Sequence, residues 1–230
     1  MSRAQIKTIL TNPITVLIGG FGLLLCAQII AGFFVSILGV ESKLLVAGVI
    51  TAISLCVLAA VGATLLKLTA SSWRALGISM PKKGWMKQVV IYIALYYIIS
   101  YVLQLIIALV VPQFDPMQTQ DVGISSYTVG MFAQSAVVLV VLTPLLEEFF
   151  FRGLLFKGLR RSVGFVVAAG TSSLLFALAH GQWNVALDTF VLGLFLSKIV
   201  EDSESLLPAI VMHAGKNAIA LGLLFTLSYL

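Results

Sequence analysis

Residues 137–152 read VVLVVLTPLLEEFFFR, so two adjacent carboxylates and an arginine interrupt a run of apolar side chains. The apolar run resumes at residues 153–156, which read GLLF. A helix needs about 20 such residues to cross a bilayer. A charged side chain at that depth costs roughly 2.5–3.5 kcal/mol even on permissive insertion scales, and such residues are typically functional. Glu147, Glu148 and Arg152 are therefore the first candidates for a functional site.

The whole chain has the composition of a membrane protein. Of its 230 residues, 60% are hydrophobic and only 10% are charged, and the mean hydropathy is +1.10. The apolar runs are continuous rather than alternating, which indicates helices. We predict an all-α, polytopic integral membrane protein with seven spans, at residues 14–40, 44–66, 88–111, 129–152, 164–180, 185–200 and 206–228, the fourth continuing as helix to residue 160. The fifth and sixth are short for a full crossing.

The net charge of +5 is informative through its distribution. Basic residues precede the first span and recur at 67–87 and 157–161, whereas the loop between spans three and four holds Asp115, Asp121 and no basic residue. The positive-inside rule then predicts an inner N-terminus and an outer C-terminus in the cell membrane. The basic residues are topology signals, so no nucleic-acid partner is implied.

We predict one membrane domain over residues 1–230. The polar residues at membrane depth cluster from Glu147 onward. This clustering divides the domain into scaffold helices (1–127) and a catalytic core (128–230).

The charged residues of span four divide into a pair and a single carboxylate. Glu148 and Arg152 are four residues apart, so on a helix they can form a charge-assisted pair. Glu147 lies about 100° around the helix from Glu148 and is free to point into the bundle. Taken alone, the Glu148–Arg152 pair would be a structural device that neutralises buried charge.

Spans five and seven add the two histidines of the chain. His180 ends span five, and His213 and Asn217 share one face of span seven because they are four residues apart. Counted from the inner membrane surface at 1.5 Å per residue, Glu147 is about 20 Å deep, Asn217 roughly 16 Å, His213 about 10 Å and His180 about 24 Å. The count allows a common chamber, with His180 as the outlier. Alone, His213 and Asn217 would be interhelical hydrogen-bonding residues.

Together, these groups are suited to hydrolysis. A free carboxylate with a nearby histidine can hold a water and deprotonate it for attack on a carbonyl. A second histidine with an asparagine amide can donate to the oxyanion that forms. Such a hydrolase needs neither a serine nucleophile nor a metal, so we expect no cofactor.

Three spaced motifs carry a resemblance to a known family: Glu-Glu-x-x-x-Arg at 147–152, Phe-x-x-x-His at 176–180 and His-x-x-x-Asn at 213–217. In order and membrane setting they resemble the CAAX protease and bacteriocin-processing family, which includes Abi-type membrane proteins and the Ras-converting prenyl-protein endopeptidase. The likeness covers residues 140–220.

The resemblance implies a metal-independent intramembrane glutamate protease. By position, Glu147 would be the general base and His180 its partner in activating water, and His213 and Asn217 would form the oxyanion site. Glu148 and Arg152 would shape and support that site. The family has up to eight helices, which makes residues 68–80 the candidate for an eighth.

Lys216 departs from the family pattern, where an uncharged residue is commoner. Asp188 on span six lies at a matched depth, about 18 Å against about 15 Å along their helices. We predict that the two pair and neutralise each other. Exchanging the two residues should then recover the protein level that either single substitution loses.

Other mechanisms lack their motifs. The sequence has no His-Glu-x-x-His of zinc metalloproteases, no Gly-x-Ser-x-Gly and no Gly-x-Gly-Asp. Two glutamates and two histidines leave zinc as an alternative. A non-proteolytic scaffold or regulator, such as a bacteriocin-immunity protein or a sensor-kinase partner, is the second hypothesis. A proton-coupled transporter is disfavoured because no paired halves or interrupted helices are seen.

The predicted partners are membrane lipid and a peptide or protein substrate. The substrate is prenylated at its C-terminus in a host that prenylates proteins. Otherwise it is a leader-bearing precursor, such as a bacteriocin or pheromone.

Overall fold

The protein is helical through the part of the chain that this computed structural model describes, residues 12–39, 42–69, 71–115 and 122–228. The helices are α1 Pro13–Leu38, α2 Lys43–Thr69, α3 Trp85–Val110, α4 Val129–Arg160, α5 Phe165–Leu178, α6 Trp183–Ser203 and α7 Leu207–Leu227. All except α5 are long and apolar enough to cross a membrane. The predicted all-α, multi-pass membrane fold is confirmed, and each predicted span coincides with one of these helices.

The long helix α4 contains two π-helical segments. It is α-helical at Thr143–Glu147, between π-helical segments at Ala136–Leu142 and Glu148–Phe156. Pro144 has no N–H to donate, and the first π segment ends immediately before this proline-containing turn. Segments of π-helix occur frequently at functional sites. The second one begins at Glu148, beside the charged residues of this helix.

Helix α5 is too short to cross the bilayer. Its 14 residues span about 21 Å, against about 30 Å of hydrocarbon. The chain turns at Gly181 in the left-handed region (φ 65°) and returns as α6. The turn places His180 about 22 Å from the start of α5, near the level of Glu147 counted along α4. The predicted shortness of span five is confirmed. That of span six is wrong, because α6 has 21 residues.

The described part of the loop between α2 and α3, residues 71–84, is compact and forms no eighth helix. It contains a single 3₁₀ turn, Trp73–Leu76, which Gly77 ends with φ 80°. The N–H of Leu206 donates to the Gly77 carbonyl (2.8 Å), and Lys82 pairs with Glu204 (2.9 Å). The Lys82 ammonium holds the pKa of the exposed Glu204 carboxyl below its usual range. This loop thereby contacts the C-terminal end of α6 and the N-terminal end of α7.

The packed centre of the bundle lies in the second half of the chain. Phe150 on α4, Phe176 on α5 and Leu192 and Leu196 on α6 are almost fully buried. Helices α1 and α3, by contrast, present many exposed apolar side chains, as lipid-facing helices do. The candidate site residues therefore lie on the helices that pack most tightly.

Candidate active site

Glu148 and Arg152 form the predicted ion pair, and both side chains are 0% exposed. Arg152 Nη1 donates to Glu148 Oε1 at 3.2 Å. The guanidinium also lies over the ring of Phe176, with Cζ 4.4 Å from the ring centroid, in a cation–π contact. A buried charge is tolerated only when it is paired in this way. The pair on α4 is therefore part of the core.

Gly193 on α6 provides the room that the Arg152 side chain occupies. A Cβ at this position would lie 3.0 Å from Arg152 Nη2 and 2.8 Å from both Cβ and Oγ of Ser173. The sequence does not indicate this requirement, because a glycine in an apolar helix carries no signal of the side chain that approaches it.

His213 bridges the two adjacent carboxylates. Its Nδ1 lies 2.9 Å from Glu148 Oε1 and its Nε2 lies 3.6 Å from Glu147 Oε2. A carboxylate accepts, so Nδ1 donates to Glu148, and this bond sets the ring orientation and turns Nε2 toward Glu147. The Glu147 side chain is 21% exposed, whereas that of Glu148 is fully buried. The neighbouring glutamates thus have different environments.

His180 is held by the helix that ends beside it. Its Nδ1 lies 2.9 Å from the Phe176 carbonyl oxygen, and its ring stacks edge-on against the Phe176 ring with centroids 4.9 Å apart. Because a carbonyl only accepts, Nδ1 carries the proton in this bond. In the neutral ring, Nε2 is then an acceptor. Phe176 also contacts the His213 ring at 5.8 Å, so it links both histidines, which the sequence did not indicate.

Asn217 fastens α7 to the first π segment of α4. Its Nδ2 donates to the Leu139 carbonyl at 2.8 Å. The Thr143 N–H donates five residues back to Val138, so the π partner of the Leu139 carbonyl would be residue 144, which is a proline. Asn217 therefore pairs a carbonyl that Pro144 leaves without its backbone donor.

One cavity of about 910 Å³ brings the candidate residues together. Glu147, His180, His213 and Asn217 all line it, at the depth where α5 ends. Glu148 and Arg152 are fully buried and lie behind its wall. The cavity separates residues able to meet a ligand from residues that support them.

Asp188 and Lys216 pair across the same cavity, as predicted, with Lys216 Nζ 3.4 Å from Asp188 Oδ2. Asp188 also accepts hydrogen bonds from two residues of α3, the Tyr96 hydroxyl (2.7 Å) and Ser100 Oγ (2.5 Å). Tyr96 and Ser100 were missed in the sequence because hydroxyl groups on an apolar helix give no charge signal. They join α3 to helices α6 and α7.

No group of three or more His, Cys, Asp or Glu side chains suited to holding a metal ion is found among the residues that the structure describes. Of the six predicted site residues, four line the cavity, and the other two, Glu148 and Arg152, lie behind its wall and support it. Their roles in a reaction remain predictions.

Comparison with known proteins agrees with the motif pattern. Residues 129–219 match the family model described as Type II CAAX prenyl endopeptidase Rce1-like. The chain is also similar to the membrane-embedded CAAX protease MroQ of Staphylococcus aureus (strain USA300), with 34% identity over 83 residues, which is 34% of each chain. The match thus spans about a third of that relative. No solved structure matches. The family match thus lies in residues 129–219, which hold all three motifs.

Proposed function

We propose that this chain is an intramembrane endopeptidase of the glutamate type, acting without a metal. Its substrate would be a membrane-associated peptide or protein, cleaved near the C-terminus or in a leader. The observation that carries the proposal is the placement of His213 between a buried, charge-paired Glu148 and a cavity-facing Glu147. This arrangement supplies a carboxylate that can meet water and a ring held in one orientation.

In the proposed reaction, Glu147 accepts a proton from a water molecule in the cavity as the water oxygen attacks the scissile carbonyl. His180 assists through Nε2, which its Nδ1 bond to the Phe176 carbonyl leaves as an acceptor. Collapse of the tetrahedral intermediate breaks the C–N bond, and the proton held by Glu147 passes to the leaving amine.

His213 and Asn217 are the proposed donors to the oxyanion. In this role His213 donates through Nε2 with both ring nitrogens protonated, since Nδ1 already donates to Glu148. Glu148 and Arg152 fix the His213 ring from behind the wall, so that Nε2 needs no reorientation during the reaction. The Asn217 amide carries two N–H bonds, and the Leu139 carbonyl accepts one of them. The second N–H is the one assigned to the oxyanion.

The expected contributions to the cleavage rate indicate which substitution should have the larger effect. A general base contributes about 10²–10⁴ in rate, and a single oxyanion donor about 10²–10³. Removal of Glu147 should therefore reduce cleavage at least as strongly as removal of Asn217. The name of the relative as a CAAX protease supports the reaction class.

The second candidate is a non-proteolytic membrane scaffold or regulator. One observation favours it: three motif residues have evident structural roles, since Glu148 pairs with Arg152 and Asn217 pairs with a helix carbonyl. A scaffold would retain these contacts for packing and would not depend on the cavity-facing carboxylate of Glu147.

The deciding experiment is a comparison of cellular peptidomes at matched membrane protein level. Cells carrying the native chain are compared with cells carrying Glu147→Gln, and with Glu204→Gln as a control for an exposed carboxylate outside the cavity. Peptides that require Glu147 and survive Glu204→Gln support proteolysis and identify the cleavage site. Identical peptidomes with a retained cellular phenotype would favour the scaffold.

A chelator arm of the same assay addresses the zinc alternative. Cleavage by purified protein should persist after incubation with 1,10-phenanthroline. Loss of cleavage that added Zn²⁺ restores would contradict the metal-independent mechanism.

A further inference from the structure

A second cavity lies apart from the candidate active site, in the inner half of the bundle. It measures about 320 Å³ and is bounded by α1, α2 and the inner end of α4. Glycines from each helix line it, including Gly19, Gly62 and Gly153. Along α1 it extends from Thr15 to Leu23, which is about 12 Å of helix. We refer to it as the inner cleft.

The inner cleft is open at α1 although its floor is tightly packed. A Cβ at Gly62 would lie 3.2 Å from the Phe149 ring, and one at Gly153 would lie 3.1 Å from the Leu76 carbonyl oxygen. A Cβ at Gly19 would meet no atom of the described residues within 4 Å. The helices that form the cleft therefore do not fill it with their own side chains.

Polar groups line only one end of the inner cleft. Arg161, Thr15 and Ser71 lie there, at the inner membrane surface indicated by the distribution of basic loops. Arg161 Nη2 donates to the Ala75 carbonyl oxygen at 3.0 Å. This bond does not use the other N–H groups of the guanidinium. The lining consists of apolar, small, hydroxyl and arginine side chains and, within the described chain, contains no carboxylate.

The charge around this end is positive. Lys157 and Arg74 lie nearby, while the adjacent carboxylates Glu201 and Glu204 are already paired with Arg160 and Lys82. Partial burial lowers the pKa of the Arg161 guanidinium, so an anion beside it would compensate for lost hydration.

We propose that the inner cleft binds one anionic phospholipid of the inner leaflet, with an acyl chain along Gly19 and the phosphate at Arg161. A ligand that is apolar along its length and negative at one end matches the lining. The surrounding lipid tails are as apolar as the cleft, so the acyl chain gives little selectivity. Selectivity comes from the headgroup, at about fivefold for each basic residue that contacts it.

Native mass spectrometry of the purified, delipidated full-length protein tests this. Palmitoyl-oleoyl phosphatidylglycerol is compared with phosphatidylcholine of the same chains. We expect one retained phosphatidylglycerol, preferred about fivefold or more. Gly19→Leu should abolish its retention by filling the cleft, and Arg161→Gln should reduce the preference about fivefold. Gly22→Leu is the matched control, because that exposed position on α1 is also unobstructed but does not line the cleft.

Equal retention of both lipids, or retention unaffected by Gly19→Leu, would overturn the proposal. So would a dimer that Gly19→Leu dissociates without any change in bound lipid, since a second copy would then occupy the cleft. Thermal unfolding of each variant checks folding, and Arg161→Gln tests the site without adding bulk. Glu147→Gln should bind the lipid normally, so this result is independent of the proposed protease activity.

Discussion

The adjacent glutamates of the first motif illustrate how neighbouring residues acquire different tasks. Glu148 is fully buried between Arg152 and His213, whereas Glu147 is partly exposed to the cavity. Removing one partner of a buried ion pair typically costs about 3–5 kcal/mol, because the other charge is left uncompensated. Removing a partly exposed carboxylate leaves no such charge behind.

We therefore predict that the two isosteric substitutions differ in their effect on stability. Glu147→Gln should retain the thermal stability of the native protein while cleavage falls about 10²–10⁴-fold. Glu148→Gln should lower stability by about 3–5 kcal/mol and also reduce cleavage. Thermal unfolding in detergent and hydrolysis of the identified peptide measure both. Equal destabilisation by the two substitutions would contradict this division of roles.

Gly193 offers a test of Arg152 placement that leaves every charged residue intact. An added methyl would press on Ser173 and on Arg152 Nη2, and overpacking of this kind typically costs about 1–3 kcal/mol. Gly193→Ala should therefore lower both stability and cleavage. Gly170→Ala on α5 is the control: its Cβ meets nothing within 4 Å, and alanine favours helix by about 1 kcal/mol. Native behaviour of Gly193→Ala would show that Arg152 does not require this space.

In helix α4, the bond from Asn217 to the Leu139 carbonyl replaces a donor that Pro144 cannot provide. Asn217→Leu should destabilise the protein by about 1–3 kcal/mol, since the carbonyl is left unpaired in an apolar environment. Adding Pro144→Ala supplies a backbone N–H at residue 144, in the position to donate to Leu139. The double variant should therefore lose less stability than the single effects combined, which thermal unfolding of all four proteins measures.

The same four proteins distinguish a structural role of Asn217 from a catalytic one. If Asn217 also donates to the oxyanion, the double variant should regain stability but not cleavage. Additive stability losses would mean that Pro144 is not the reason for the Asn217 bond. Recovery of cleavage together with stability would limit Asn217 to a structural role.

The sequence predicted the helices well and their internal geometry poorly. Long apolar runs define the spans because the bilayer requires each to satisfy its own backbone, so α1 to α7 follow from composition. The π segments around Glu148 do not follow, since they shift the register without changing hydropathy. Residues 68–80 were the candidate for an eighth helix, but Gly77 stops the helical turn there after four residues.

The candidate site was predicted as a set of residues and not as a set of contacts. Counting along helices allowed a common chamber for Glu147, His213 and His180, with His180 as the outlier. It could not place His213 between both glutamates, because that depends on how α7 packs against α4. Asp188 and Lys216 were found because opposite charges at matched depth need each other in a membrane. Their neutral partners Tyr96 and Ser100 need no counter-charge, so the sequence carried no signal for them.

The Asp188 network extends the packed centre into the first half of the chain. Tyr96 and Ser100 belong to α3, outside residues 129–219, which match the family model. Their hydroxyls and the Lys216 ammonium converge on one carboxylate. Since Lys216 lies between His213 and Asn217 on α7, this network also constrains the face of α7 that lines the cavity. The α3 helix, predicted as scaffold, therefore contributes to the geometry of the site.

Loss of Asp188, which all three partners contact, should destabilise the protein more than loss of Lys216. Asp188→Leu removes the acceptor of the nearly buried Tyr96 and Ser100 and the partner of Lys216, at about 1–3 kcal/mol for each buried group left unpaired. Lys216→Met leaves Asp188 with both hydroxyl donors and should cost less. Exchanging the two charges should recover part of the protein level lost by Asp188→Lys alone. Quantitative immunoblotting of membranes and thermal unfolding measure these effects.

The interpretation of that experiment depends on α3. If the network acts through the orientation of α7, Tyr96→Phe combined with Ser100→Ala should lower cleavage while substrate affinity changes little, because neither hydroxyl is assigned to the reacting atoms. Leu109→Ala, on the exposed lipid side of the same helix, should leave cleavage unchanged. Equal effects of Asp188→Leu and Lys216→Met would instead mean that only the ion pair contributes to stability. The hydroxyl groups of α3 would then line the cavity without affecting the geometry of the site.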